Sequence, residues 1–350
     1  MKSNYDPLGK HIRLVDYRNS EEVTSTVLGI SIDKEFMPSV ANVIGTDLSR
    51  YKLISKGLFA CNPMHVGRDE RLPIALYEKD SPAIVSPAYF MFEIIDRDVL
   101  NEEYLMMWFR RPEFDRECWF MTDGSVRGGI TWDDLCRIKL PVPSYARQCE
   151  IVESYRAITD RIALKRAEND NLEAVLAASH SKMFFSKDTS EHTKLGELMT
   201  FGNGKSRPKT DGPIPVYGGN GVLSYTDHHN IENAVLIGRV GAYCGSVYLE
   251  QGICWVSDNA IFAKSKITKD EFFDYFLLKR LNLFNHHVGT GQQLLTQEIL
   301  NNIEVPKPVT EQIELFNRKA ASVFETIFTN SREIIRLQEL SDLLLSRLAG

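Results

Sequence analysis

The sequence predicts an α+β protein built twice over: two globular modules, each followed by a long helix, with the two helices packing antiparallel as a coiled coil and the chain carrying an internal pseudo-twofold repeat. Two observations carry this. Ile151, Tyr155, Ile158, Ile162, Leu172, Leu176 and Met183, with the polar Lys165, Asn169 and Ser179 filling the gaps, recur at alternating steps of four and three. That is a heptad seam, which asks for a partner helix. Adding 165 to each number returns Phe316, Ala320, Val323, Ile327, Asn330, Ile334, Leu337, Ser341, Leu344 and Leu348, so the partner lies in the same chain. The second observation is that the repeat extends upstream. Gly124–Thr131 (GSVRGGIT) matches Gly289–Thr296 (GTGQQLLT). Leu135 then matches Leu300, Ile138 Ile303, Pro141 Pro306 and Pro143 Pro308, all at the same offset. Gln148 matches Gln312 one residue short, which implies a single-residue indel before the helix. A repeat this long means two similar modules in series, dividing the chain into 1–143, 144–186, 187–307 and 308–350.

In chain order, the modules open at Leu8-Gly9 and Leu195-Gly196. In the first, Tyr51–Cys61 and Ala83–Ile94 read as short strands rich in β-branched and aromatic residues. The polar loop Asn62–Arg71 lies between them, and Glu102–Phe109 reads as a helix. In the second, Ala234–Gly238 and Ser246–Leu249 are strand-like and joined by the glycine-punctuated Gly238–Gly245. Ile253–Ala263 is a further strand whose Val256-Ser257 aligns with Val85-Ser86, and Asp270–Leu281 is the matching helix. The long segment Ser144–Phe185 is helical; at 1.5 Å per residue, about 40 residues span roughly 60 Å.

Composition is that of an ordinary globular protein, with 43% hydrophobic and 25% charged residues in 350. No apolar run approaches the roughly 20 residues of a membrane helix, and MKSNYDPLGKHIR has no signal-peptide core. A cytoplasmic protein with no membrane attachment is expected. The six cysteines form no Cys-x-x-Cys pair and no zinc spacing with histidine, so they are expected to be reduced packing residues. The net charge of −6 counts against tight nucleic-acid binding by the isolated chain, and no long segment is basic. Any such surface must come from local clustering of lysine and arginine.

The doubled Leu-Gly opening, glycine turn, Pro-x-Pro and long helix resemble the specificity subunit of type I restriction-modification systems, and the resemblance covers essentially all 350 residues. The runs Ile214–Gly221 (IPVYGGNG), Ile237–Gly241 (IGRVG) and Trp255–Ala260 (WVSDNA) resemble one recurrent type of target-recognition domain. Tyr51–Asn62 followed by Ile74–Tyr77 resembles another. The resemblance implies that residues 1–143 and 187–307 are target-recognition domains, each reading one half of a split double-stranded DNA sequence, with 144–186 and 308–350 as spacer helices. It implies a non-catalytic chain without a cofactor of its own. Two methyltransferase subunits dock on it and restriction subunits join them; S-adenosylmethionine, ATP and Mg2+ belong to those partners. Half-sites one to two helical turns apart, each about 34–36 Å, suit a spacer of this length.

The helix-pair interface is expected at Ile151, Tyr155, Ile158, Ile162, Leu172 and Leu176 on one helix, and at Phe316, Val323, Ile327, Ile334, Leu337 and Leu344 on the other. The polar seam positions Lys165, Asn169 and Asn330 fit two readings, a register lock or solvated breaks in a long helix. Candidate DNA contacts follow from residue chemistry. Lys205, Arg207 and Lys209 in a Gly/Pro loop suit phosphates, though a solvated loop has the same composition. Arg239 and Asn220 suit base edges, arginine to guanine and asparagine to adenine, while Asn220 equally suits a turn. Arg68 and Asn62, with His65 and Arg71, share one loop, where Asp69 and Glu70 offer local pairing instead. Arg127 and the pair Gln292-Gln293 tip the two glycine turns, which serve either DNA or the chain connection.

Enzyme readings fail. Asn62-Pro63-Met64 lacks the second proline and the aromatic of the adenine methyltransferase motif. GRVGAYCG opens no helix, and no phosphate-binding loop ends in Gly-Lys-Ser/Thr. The pairs His228-His229 and His286-His287 are adjacent and point apart, so no metal site is expected. Three rivals remain: a stand-alone nuclease, a protein-binding scaffold favoured by the net charge, and a reader for another methyltransferase-based defence system.

Overall fold

The computed structural model describes residues 5–40, 45–64, 66–122, 128–186, 191–289 and 291–349. The fold is α+β and duplicated. Two compact units emerge, one of residues 1–164 with 334–350, the other of residues 165–333. The long helices Tyr145–Phe185 and Thr310–Ser346 each contribute to both units. Among the described residues no helix is long and apolar enough to cross a membrane.

Each unit is closed by the same clasp. In the first, Tyr5–Pro7 pairs antiparallel with Lys139–Pro141; in the second, His192–Lys194 pairs with Glu304–Pro306. The Leu8 N–H then donates to the Ile138 carbonyl at 2.8 Å, and the Leu195 N–H to that of Ile303 at 2.9 Å. The repeated Leu-Gly follows from the packing. A Cβ on Gly9 would lie 2.8 Å from the Cys136 Cβ, and one on Gly196 would lie 2.6 Å from the Asn301 Oδ1. At Gly9 glycine lets the opening turn reach the short helix Trp132–Arg137, and at Gly196 any larger residue displaces the Asn301 side chain of Gln297–Asn302. Both of those helices are capped by the repeat threonine: Thr131 accepts from the Asp134 N–H and Thr296 from the Ile299 N–H, supplying orphan first-turn donors with an acceptor.

The first unit holds two four-stranded sheets. One runs Ile12–Leu14, Phe90–Ile94, Phe59–Cys61, Ile74–Leu76; the other runs Phe36–Pro38, Val27–Ile30, Ala83–Val85, Lys52–Ile54. The segments Tyr51–Cys61 and Ala83–Ile94, each expected to be one strand region, therefore split. Lys52–Ile54 pairs with Ala83–Val85, while Phe59–Cys61 pairs with Phe90–Ile94 in the other sheet. The first break is at Gly57, whose φ of +85° favours glycine. Helix Glu102–Phe109 forms as expected. Asn101 caps it, accepting from the Glu103 and Tyr104 N–H groups, and two glutamates sit in its first turn. Every residue from Tyr104 to Phe109 is buried, so this helix is the middle of the core rather than a surface element.

The second unit holds one six-stranded sheet in the order Met199–Asn203, Ala260–Ser265, Ile231–Gly238, Val247–Val256, Ile214–Gly218, Gly221–Thr226. The expected strands Ser246–Leu249 and Ile253–Ala263 are redistributed: one strand runs from Val247 to Val256, and the chain turns at Ser257–Asn259. The alignment of Val256-Ser257 with Val85-Ser86 holds, since both pairs end a strand and open a turn closed by an N–H on the serine carbonyl. The following helix is Phe272–Arg280.

A buried amide ties each module to its long helix. In the first unit the Gln148 side chain, 0% exposed, accepts from the Asn101 N–H and donates to the Val99 and Pro143 carbonyls. Gln312, its sequence match, is exposed. The same bonding comes instead from Asn317, 2% exposed, which accepts from the Phe273 N–H and donates to the Asp270 carbonyl. Burial decides the equivalence, because only an amide facing the core can satisfy loop groups cut off from water.

Candidate nucleic-acid interface

In the second unit five loops meet. The Arg239 N–H donates to the Asn259 carbonyl at 3.0 Å, the Gly241 N–H to that of Gln293 at 3.0 Å, and the Leu295 N–H to that of Arg239 at 2.9 Å. The Lys205 N–H donates to the Val256 carbonyl, and the Ser257 N–H to that of Tyr217. These bonds gather 203–205, 217–221, 238–245, 257–259 and 291–295. The approach is close enough to demand glycine at Gly204, where a Cβ would lie 2.0 Å from the Ser257 carbonyl oxygen. Lys205, Asn220, Arg239, Gln292 and Gln293 are thus on loops that the backbone holds together.

Their side chains differ in freedom. Lys205, Arg207 and Lys209 are exposed, and none pairs with a carboxylate among the described residues. Asn220 is exposed in the turn between Ile214–Gly218 and Gly221–Thr226. Arg239 is half-buried, and its Nη1 donates to the Asp258 carbonyl at 3.4 Å. The Arg239 Nε and the Ser257 Oγ are buried without a hydrogen-bond partner. Gln292 is exposed and Gln293 half-buried. The Ser257–Asn259 turn went unnamed among the candidates although it supports Arg239; its signal was the WVSDNA run itself.

The first unit repeats the wiring. The Gly67 N–H donates to the Gly128 carbonyl and the Ile130 N–H to that of Pro63. Gly128 and Ile130 lie 165 residues before Gln293 and Leu295, which make the same two bonds to the Arg239 loop. The loop of Asn62 and Arg68 is therefore the structural counterpart of the Arg239 loop. Arg68 is turned to its neighbour in a bidentate pair with Asp69 at 2.7 and 2.9 Å, so its guanidinium is engaged locally. The half-buried Asn62 accepts from the Met64 N–H at 3.1 Å. Arg71 pairs with Asp33 at 3.3 Å. Arg127 and His65 lie outside the described residues.

The helix pair is antiparallel within each unit. In the first, Ile151, Val152 and Tyr155 join a core that includes Leu344, Leu345 and Leu348. In the second, Leu176 and Phe184 join Phe316, Ala320 and Phe324, with Val323 and Ile327 alongside. Ile162 is buried; Ile158, Leu172, Ile334 and Leu337 are half-buried. Between the apolar stretches lies a polar cluster in the second unit. Asn330, 3% exposed, accepts from the Lys165 Nζ at 2.9 Å and donates to the Asn169 Oδ1 at 2.9 Å. Lys165 also pairs with Glu168 at 2.9 Å. These positions are interlocked and, at Asn330, dry; they are not solvated breaks. Lys165 and Asn330 are repeat equivalents at the 165-residue offset.

The six cysteines are unpaired. Among the described residues no group of three or more His, Cys, Asp or Glu is placed to hold a metal ion. His180, central to an aromatic cluster of Phe184, Phe185, Phe273, Phe276 and Phe316, has its pKa pushed down to about 4 by burial and by the nearby Arg280.

A duplicated α+β frame whose loop clusters are wired alike defines a class, and comparison with known proteins agrees with it. Residues 187–343 match the family described as type I restriction modification DNA specificity domain, and that segment belongs to it. The resemblance read from the residues is borne out. Among curated proteins, the chain is similar to the type I restriction enzyme EcoprrI specificity subunit of Escherichia coli, 24% identical over 219 residues, 57% of this chain and 53% of that one. The match thus spans about half the length of that relative. Among solved structures, the type I restriction-modification S subunit from M. genitalium aligns over 98% of this chain and 95% of its own, with a TM-score of 0.60 and 14% identity, a likeness of fold. The HsdS subunit from Thermoanaerobacter tengcongensis aligns over 98% and 95%, with a TM-score of 0.38 and 16% identity.

Proposed function

We propose that this chain is the non-catalytic sequence reader of a type I restriction-modification enzyme. Each module reads one half of a split double-stranded DNA target. The long helices fix the gap and dock two methyltransferase subunits, one per repeat, and restriction subunits join that assembly. S-adenosylmethionine, ATP and Mg2+ act on those partners, and this chain needs none of them.

The observation that carries the reading is the pair of backbone bonds made twice, from Gly128 and Ile130 to one loop and from Gln293 and Leu295 to the other. A shared frame that presents loops of different sequence is what two half-sites of different sequence require. Within the second loop cluster the roles divide by freedom. Lys205, Arg207 and Lys209, exposed on one loop, neutralise phosphates. Arg239, with both backbone groups bonded and its guanidinium against the Asp258 carbonyl, is pre-oriented for a base edge.

Selection from a pool of randomised duplexes, with the chain co-purified with its neighbouring methyltransferase subunit, tests this. A split motif with a fixed gap is expected to enrich. Enrichment of one continuous site, or of none, contradicts the reading.

A further inference from the structure

We propose that Asp258 is a specificity-determining residue of the second module: its carboxylate accepts from the exocyclic amino group of a cytosine, in the base pair read by Arg239 or the pair next to it. The inference rests on the reader function above and adds to it a second side chain and the base it recognises.

Asp258 sits at the hub of the second unit's loop cluster. Its turn, Ser257–Ala260, is closed by the Ala260 N–H on the Ser257 carbonyl at 3.0 Å. The neighbouring loops are fastened to the backbone of that turn. The Ser257 N–H donates to the Tyr217 carbonyl, the Gly204 N–H donates to the Ala260 carbonyl at 3.1 Å, and the Arg239 N–H donates to the Asn259 carbonyl. The Arg239 Nη1 lies 3.4 Å from the carbonyl of Asp258 itself. The backbone is thus committed to holding neighbours, and the Asp258 side chain is left out of the network. It is exposed, and its carboxylate has no hydrogen-bond or ion-pair partner among the described residues. Lys205, bridged to Ser257, and Arg239 both stand on adjoining segments, yet neither neutralises it. The first unit has the same turn 171 residues earlier, Ser86–Tyr89, closed by the Tyr89 N–H on the Ser86 carbonyl at 3.1 Å. There the place of Asp258 is taken by the exposed Pro87, whose side chain has no acceptor. One shared turn with different chemistry at its tip is what two modules of different specificity require.

Charge decides what Asp258 can face. A carboxylate repels every phosphate, so it weakens binding wherever it meets the DNA backbone. Amino groups in the major groove are what reward it. Adenine carries its amino group beside the N7 acceptor, which repels a carboxylate, whereas cytosine N4 has no acceptor next to it on its own base. The guanine paired with that cytosine presents O6 and N7, the acceptors that suit the Arg239 guanidinium. Arg239 and Asp258, held together at the Asp258 carbonyl, therefore match the acceptors and the donor of a G·C pair. At a pair that offers no such donor the carboxylate stays unpaired and repelled, which is discrimination by rejection.

The test uses the complex of this chain with its methyltransferase subunits, and duplexes carrying the motif selected by the wild-type complex with each base pair changed in turn. Arg239→Lys marks the pair read by the arginine. Asp258→Ala keeps the fold, because the carboxylate bonds nothing among the described residues. It is expected to lose about 5- to 150-fold of discrimination for cytosine at that pair or the next, with the rest of the motif kept. It is expected to bind a duplex lacking the motif as tightly as wild type or more tightly. N4-methylcytosine at the same position removes the free amino hydrogen, and is expected to weaken the wild-type complex while leaving Asp258→Ala unchanged. An unchanged motif in Asp258→Ala overturns the inference and leaves the reader function standing. So does relaxation at an A·T pair. Equal weakening on duplexes with and without the motif also overturns it and assigns the residue a structural role. Release of the methyltransferase subunits on gel filtration overturns it too, and assigns Asp258 to a protein partner. Failure of the wild-type complex to select any split motif removes the reader function, and this inference with it.

Discussion

Asn330→Ala removes the centre of the polar cluster between the long helices. Asn330 is 3% exposed and makes two bonds, accepting from the Lys165 ammonium and donating to Asn169. A bond to a charged group contributes about 1.5–3 kcal/mol and a neutral one about 0.5–1.5 kcal/mol. Lys165 keeps Glu168 at 2.9 Å, which offsets part of the loss. The expected cost is therefore about 2–4 kcal/mol, read as a shift in the urea midpoint of the full chain followed by far-UV circular dichroism. Replacing the whole cluster, Lys165→Leu with Asn169→Leu and Asn330→Leu, is expected to be neutral or stabilising, because no buried polar group is left unpaired. That triple variant is also expected to lose uniqueness of helix pairing, seen as additional oligomers on gel filtration, since a polar seam residue fixes register at a cost in stability. A cost below about 0.5 kcal/mol for Asn330→Ala refutes the lock.

Three further perturbations follow from the geometry. Lys34 bonds Asp115 at 2.6 Å and the Leu72 carbonyl at 2.8 Å in a buried site, so Asp115→Asn is expected to cost about 3–5 kcal/mol in urea unfolding, with partial recovery in Lys34→Met/Asp115→Leu. His180, with its pKa pushed down to about 4, takes up a proton in the unfolded chain before the folded one; its contribution is whole above about pH 6.5 and is lost as pH falls towards about 4, roughly 3 kcal/mol across that window. Unfolding curves measured through the window are expected to flatten in His180→Phe. Lys205→Ala is expected to weaken DNA binding evenly across sequences and to lower the salt slope by about one, whereas Arg239→Lys relaxes a single base position by about 1–3 kcal/mol, both read by titrating duplexes at several salt concentrations.

What the sequence disclosed was whatever it repeated. The heptad seam, the glycine turns and the prolines occur twice at one offset and the Leu-Gly openings twice at another, and the clasps, caps and loop ties made by those residues also occur twice. Strand limits were less legible. Lys52–Ile54 and Phe59–Cys61 sit in one run of β-forming residues, and the switch between sheets depends on the backbone at Gly57. Gln312 misled because identity in an alignment says nothing about which way a helical residue faces; Asn317 fills the role from a later turn. In the candidate interface, residue type singled out Arg239 and Arg68 alike. The structure separates them, since Asp69 engages one and only a backbone carbonyl orients the other. Distances of that kind arise from folding and have no signature in composition.

The most direct test of the central claim is single-molecule methylome sequencing of a host that carries this chain with its neighbouring methyltransferase, against the same host with this chain deleted. The account predicts that a split, adenine-methylated motif with a fixed gap disappears on deletion. An unchanged methylome, with the methyltransferase present and active, contradicts it.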